Sequence, residues 1–157
     1  MVALTTSMHR AGDATALIAR IAIGAVFVAH GWHKLSGLDG TAQSFAGLGL
    51  PMPRMAALLG VVIEVGGGTL LAIGLLLPLA AVGLAAMMAA AYGLVHAGDP
   101  LIAPGGGPSF ELVLVLGAAA LAVGFNGGRF ALDRLLPWSR PRAAAPAART
   151  AGAVADR

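Results

Sequence analysis

Five titratable side chains stand out in a chain that is 58% hydrophobic: His30, His33, Glu64, His96 and Glu111. Their types suit proton handling, hydrogen bonding to a carbonyl or hydroxyl, or metal ligation. His30 and His33 stand three apart, on one face of any helix that carries them. Met88, Tyr92 and His96 recur at four-residue spacing and form a wall on a regular helix. A histidine beside a buried carboxyl supplies both the donors that a quinone carbonyl needs and the protons that its reduction consumes. The same pattern leaves other chemistries open. His30 and His33 with Glu64 or His96 make up a ligand set for a metal, and His30 with His96 could ligate a haem. Simple core packing of the Met88–Tyr92–His96 stripe is a further reading. Cysteine is absent, which removes thiolate chemistry and thiolate metal sites from the chain itself.

The setting for these residues is lipid. The 157 residues suffice for one domain, with 58% hydrophobic and 11% charged residues, against roughly 25% charged in an ordinary soluble domain. Four apolar runs approach the ~20 residues that cross a hydrocarbon core of about 30 Å. They lie near 15–34, 55–77, 79–97 and 109–125. The expected fold is therefore all-α, an integral membrane four-helix bundle with both termini cytoplasmic. The connection around Pro78 is tight. The other two, 35–54 and 98–108, are long and rich in Gly and Pro, which break helices. Asn126-Gly-Gly128 is a stop signal, followed by an amphipathic segment, Arg129–Trp138, suited to the membrane interface. Residues 1–14 and the Pro-, Ala- and Arg-rich tail 137–157 are expected to be unstructured, leaving 15–136 as the membrane domain.

The net charge is +3, with no basic patch interleaved with aromatics, so there is no argument for nucleic-acid binding. Arg10 and Arg20 precede or open the first run, and Arg129, Arg134, Arg140, Arg142, Arg149 and Arg157 follow the last. That asymmetry places both ends in the cytoplasm. His30, His33, His96 and Glu111 then fall near the outer surface. Glu64 falls about ten residues into the second run, near the midplane, on the face of Gly60 and Gly67. A carboxyl at that depth is expected to favour its neutral form. It either hydrogen-bonds across a helix interface or handles protons or a ligand. Lys34 is expected to snorkel to the surface and Arg20 to anchor among headgroups. Gly24 and Gly31, Gly60, Gly67 and Gly74, and Gly117 and Gly124 repeat at seven-residue intervals, so each set lines one helix face and permits close backbone approach. Gly105-Gly-Gly107 is not a phosphate loop, because no Lys-Ser/Thr follows it.

In these residues the chain resembles the DoxX family of bacterial membrane proteins. The resemblance runs from about Leu17 to Leu136. It rests on Arg20-x3-Gly24-x2-Phe27-x3-Gly31-x2-Lys34, Gly49-Leu-Pro51, Glu64-x-Gly-Gly67-x2-Leu70 with Gly74, His96, Gly106-x4-Glu111 and Gly128-Arg-Phe-Ala-Leu-Asp133. It implies a four-helix membrane fold, with family-shared positions at Arg20, Lys34, Glu64, His96 and Glu111. Some members are membrane subunits of thiosulfate:quinone oxidoreductases. Others assemble with superoxide dismutase and a sulfurtransferase in oxidative-stress defence, and many have no assigned activity. The expectation is a multi-pass protein of the bacterial cell membrane, the membrane subunit of a quinone-linked oxidoreductase or oxidative-stress complex. A non-catalytic anchor that recruits soluble redox enzymes through Arg129–Trp138 and the tail is the alternative, with a small transporter as a third. Glu64, His30 and His96 are the candidate catalytic residues; His33, Tyr92 and Glu111 are candidates for binding a cofactor, of which a quinone is the best fit. No dedicated metal site is expected. The expected partners are the lipid bilayer, soluble redox enzymes and a second copy in a homo-oligomer.

Overall fold

The computed structural model describes residues 2–126, 128 and 130–136, with side chains from residue 11 onward. Its described residues are helical, with no strand. Helix α1 spans Val2–Ser36, α2 Leu38–Gly47, α3 Pro53–Ile73, α4 Leu77–His96 and α5 Glu111–Phe125. A 3₁₀ turn, Leu132–Leu135, follows. Three of these are long and apolar enough to cross a membrane: the Ala11–Ser36 part of α1, α3 and α4; α5 is apolar but has 15 residues. Exposed Ile18, Leu59, Val62, Leu79, Leu114 and Val115 cover the outside, while Arg20 and Glu64 are buried. Apolar residues outside and charges inside match a lipid solvent.

Several boundaries differ from the sequence reading, each for a local reason. Helix α1 begins at Val2 rather than near Thr15, because no Pro or Gly interrupts the chain before Gly12. Helix α2 occupies part of the connection expected to break helices, since the Gly-Leu-Pro-Met-Pro punctuation comes only after Gly47. Pro53 then sits in the first turn of α3, where its missing N–H costs nothing. The tight reversal is at Gly74–Leu76, not at Pro78, which lies in the first turn of α4. Gly74 is left-handed (φ +78°). Leu75 N donates to Leu70 O (2.9 Å) and Gly74 N to Leu71 O (3.3 Å), a Schellman stop. Gly74 therefore ends its helix rather than lining a helix face. The tail 137–157 and residue 129 lie outside the described residues.

The long helices define two ends of the bundle. The turn end carries the Gly74–Leu76 reversal and the segment after α5; the loop end carries α2 and residues 97–110. Helix α1 packs along α3, and α4 along α5, while α3 meets α4 closely only in its half nearest the turn. A Cβ built at Gly24 would meet Gly68 O and Ala72; one at Gly31 would meet Val65 and Glu64. At Gly124 it would meet Ala81, and at Gly117, Met88. These glycines let the backbones touch, as their spacing implies. Towards the loop end, α3 leans onto α2 and diverges from α4. That divergence opens a space inside the bundle.

Candidate functional site

Both long helices beside this space contain a π turn. Val62–Gly66 in α3 holds Glu64, and Tyr92–His96 at the end of α4 holds His96. A π turn inserts one residue into the helical phase and is frequent at functional sites. Here the two π turns carry two of the five singled-out side chains.

The space is a cavity of about 430 Å³, and its wall is mostly apolar. Phe27, Ile63, Met87, Leu112 and Leu116 are among its lining residues, and its titratable groups are His30, Lys34, Glu64 and His96. The three candidate catalytic residues, His30, Glu64 and His96, therefore share one cavity. The three candidate cofactor contacts do not line it. His33 and Glu111 are exposed. Tyr92 stacks edge-on against Phe110 (centroids 5.2 Å apart) and lines a separate apolar groove of about 400 Å³ between α4 and α5. The reason is the π turn: four-residue spacing keeps one face only in a regular α-helix, and the phase shifts between Tyr92 and His96. Among the described residues, no three His, Asp or Glu side chains gather closely enough to hold a metal.

Lys34 turns inward instead of snorkelling. Its Nζ lies 2.5 Å from Glu64 Oε1, with Glu64 2% and the Lys34 side chain 25% exposed. Gly31 makes this contact feasible. It brings α1 against Glu64 and Val65, and Lys34 lies three residues further along the same face. The carboxyl placed near the midplane is thus paired with a lysine from the neighbouring helix. Only Oε1 is engaged; Oε2 is buried with no hydrogen-bond donor among the described residues. A buried acceptor left free is costly and ready to receive a donor. At the cavity's other side, His96 Nδ1 lies 2.7 Å from Asp99 Oδ2. Asp99 is a residue that the sequence reading passed over, and its i, i+3 spacing from His96 was the available signal.

The turn end holds a second buried charge. Arg20 is fully buried rather than among headgroups. Its Nη2 donates to Phe130 O (3.2 Å), and Asp133 attracts it electrostatically. Asp133 in turn accepts from Leu76 N (2.8 Å) and Leu77 N (2.9 Å), satisfying free amides at the start of α4. Asp133 N donates to Gly74 O (2.9 Å). This cluster ties the post-α5 segment to the helix reversal and adjoins no described cavity.

Comparison with known proteins agrees with this architecture. A 58-residue stretch is 48% identical to Inner membrane protein YphA of Escherichia coli (strain K12), covering 37% of this chain and 41% of that protein. Over 127 residues the chain is 32% identical to a Bacillus subtilis (strain 168) protein named "Putative oxidoreductase CatD", covering 80% of this chain and 90% of that one. No solved structure matches. The DoxX family model matches residues 15–97, the stretch that contributes Arg20, Lys34, Glu64 and His96, and the chain belongs to the DoxX family.

Proposed function

We propose that this protein is the membrane subunit of a quinone-linked oxidoreductase or oxidative-stress complex and that the loop-end cavity receives the quinone head. In this reading the domain is 15–136, crosses the bacterial cell membrane four times and keeps both termini in the cytoplasm. The turn end then faces the cytoplasm and the cavity lies in the outer half. The arginines on the two terminal segments support that orientation. Helix α5 alone spans about 22 Å at 1.5 Å per residue, so Ser109 and Phe110 belong to its crossing.

One observation carries the reading: a mostly apolar cavity ends on a buried Lys34–Glu64 pair whose second carboxylate oxygen is free. An aromatic ring fits the apolar wall. Glu64 Oε2 accepts from a quinol hydroxyl, and Lys34 and His96 offer donors to a quinone carbonyl. The relatives support a redox role loosely, through the name that the Bacillus protein carries. The chain has no cysteine, so sulfur chemistry would come from a substrate or partner.

The test is binding of a decyl-substituted benzoquinone to protein in lipid nanodiscs. Saturable binding is expected, weakened at least about ten-fold by Glu64→Gln, which removes the charge that holds Lys34. Absence of binding by the unaltered protein, or an unchanged affinity in the variant, overturns the reading. The anchor reading has its own support: Phe130 and Leu135 are exposed beside the Asp133 tie. It expects Glu64→Gln to leave recruitment of redox enzymes intact.

A further inference from the structure

His96 is held from two directions by a residue outside the cavity wall. Asp99 N donates to His96 O (3.0 Å), closing a turn after α4. Asp99 Oδ2 reaches His96 Nδ1 at 2.7 Å. Pro100 restricts the backbone of Asp99, and Phe110 N donates to Pro100 O (3.3 Å), tying this turn to the start of α5. The ring is thus clamped at its backbone and at one nitrogen. Both side chains are about three-quarters buried.

We propose that Asp99 is a positioning residue that fixes the tautomer and orientation of His96, so that His96 Nε2 is presented to the ligand in the cavity. An ionised carboxylate only accepts hydrogen bonds, so the Nδ1–Oδ2 contact puts the ring proton on Nδ1. In the neutral ring, Nε2 is then a lone-pair acceptor, matched to a hydroxyl donor. A ring that carries both protons presents Nε2 as a donor instead, matched to a carbonyl. One ring in one orientation therefore serves both a hydroxyl and a carbonyl at the same place. The ligand class this selects is one whose ring oxygen alternates between those states, as in a quinol and a quinone. The other titratable groups facing the cavity are His30, Lys34 and Glu64; Lys34 is already engaged by Glu64. Glu111, on α5, is exposed and does not line the cavity.

This assignment takes its ligand from the proposed quinone reading, but the clamp has an independent readout. Nitrogen-15 NMR of histidine-labelled protein in nanodiscs reports the tautomer, with His96→Gln identifying the signal. The Nδ1–H form is expected in the unaltered protein, its loss in Asp99→Ala, and its retention in Asp99→Asn, whose amide oxygen still accepts. Decylbenzoquinone affinity is expected to fall about ten-fold in Asp99→Ala and in His96→Ala alike, and far less in Asp99→Asn. An Nδ1–H tautomer that survives Asp99→Ala overturns the proposal, as does full affinity in Asp99→Ala where His96→Ala loses it. If the tautomer responds as expected while no variant binds the quinone, the positioning role stands and the quinone reading falls.

Discussion

Helix α1 carries two cations inside the bundle, Arg20 and Lys34, about 21 Å apart along the axis. They meet opposite surroundings. Arg20 is packed under Gly74, Phe130 and Asp133, its Nε and Nη1 buried without an acceptor among the described residues, and it lines neither described cavity. Lys34 pairs with a carboxylate whose other oxygen is buried and unpartnered among the described residues, and both side chains line a cavity of about 430 Å³. Burying either charge costs free energy. At the turn end the charge joins a network that closes the helix reversal and pins the chain after α5. At the loop end the pair belongs to the wall of a cavity that His30 and His96 also line. A buried charge in a membrane helix is thus not in itself a sign of chemistry; the space next to it is what separates a tie from a site.

Glycine substitution gives the largest expected difference between the two ends. Gly74→Val forces a branched residue into φ +78° and drives its Cβ towards Arg20 Nη1 and Ala131. The conformational and overpacking terms together come to about 2–5 kcal/mol. Thermal unfolding in detergent is expected to show a large loss of stability or no folded protein. Gly60→Ala, at the cavity, meets only the flexible end of Met87. It is expected to keep stability and to alter ligand affinity instead. Equal destabilisation by the two would erase the contrast.

The ion pair comes next. Glu64→Leu alone leaves Lys34 facing an apolar wall, and Lys34→Met alone leaves Glu64 buried without its cation. Each is expected to destabilise by roughly 1–3 kcal/mol, below the 3–5 kcal/mol of a fully buried pair because Lys34 retains some exposure. The double variant is expected to recover most of that stability while abolishing quinone binding. A double variant as unstable as the singles would show that the pair is a structural tie like the one at Arg20.

Asp133→Ala removes both acceptors at the start of α4 and the charge beside Arg20. Lost caps cost about 0.5–2 kcal/mol, and the Arg20 contact adds to that. Unfolding is expected to move by this amount with quinone affinity unchanged. A change in affinity would mean that the two ends are coupled through α1.

Much of this was readable in advance, and what was not has a physical cause. The apolar runs, the inward Glu64 and the glycine faces follow from hydropathy and a 3.6-residue period, as does the gathering of His30 and His96 at one end. A lysine stem reaches either surface or partner, so the direction of Lys34 depends on Glu64, 30 positions away. The cap on α4 likewise comes from a residue 56 or 57 positions distant, beyond any local signal. The π turns add one residue to a helix whose apolar sequence fits either form, so nothing in the spacing announces them.

The smallest expected effects belong to the singled-out residues that do not line the cavity. Tyr92 keeps its edge-on contact with Phe110 when it loses its hydroxyl, so Tyr92→Phe leaves the packing of α4 on α5 in place. Glu111 and His33 are exposed at the loop end, and the charge of Glu111 contributes to its helix only through the dipole of the first turn, a few tenths of a kcal/mol. Tyr92→Phe, Glu111→Gln and His33→Ala are therefore each expected to bind decylbenzoquinone within about two-fold of the unaltered protein, a difference under 0.5 kcal/mol. A ten-fold loss at Tyr92 would move the ligand from the Glu64 cavity into the groove between α4 and α5. The same loss at Glu111 would instead require the cavity to extend to the first turn of α5, and in either case the free oxygen of Glu64 would no longer mark where the ligand sits.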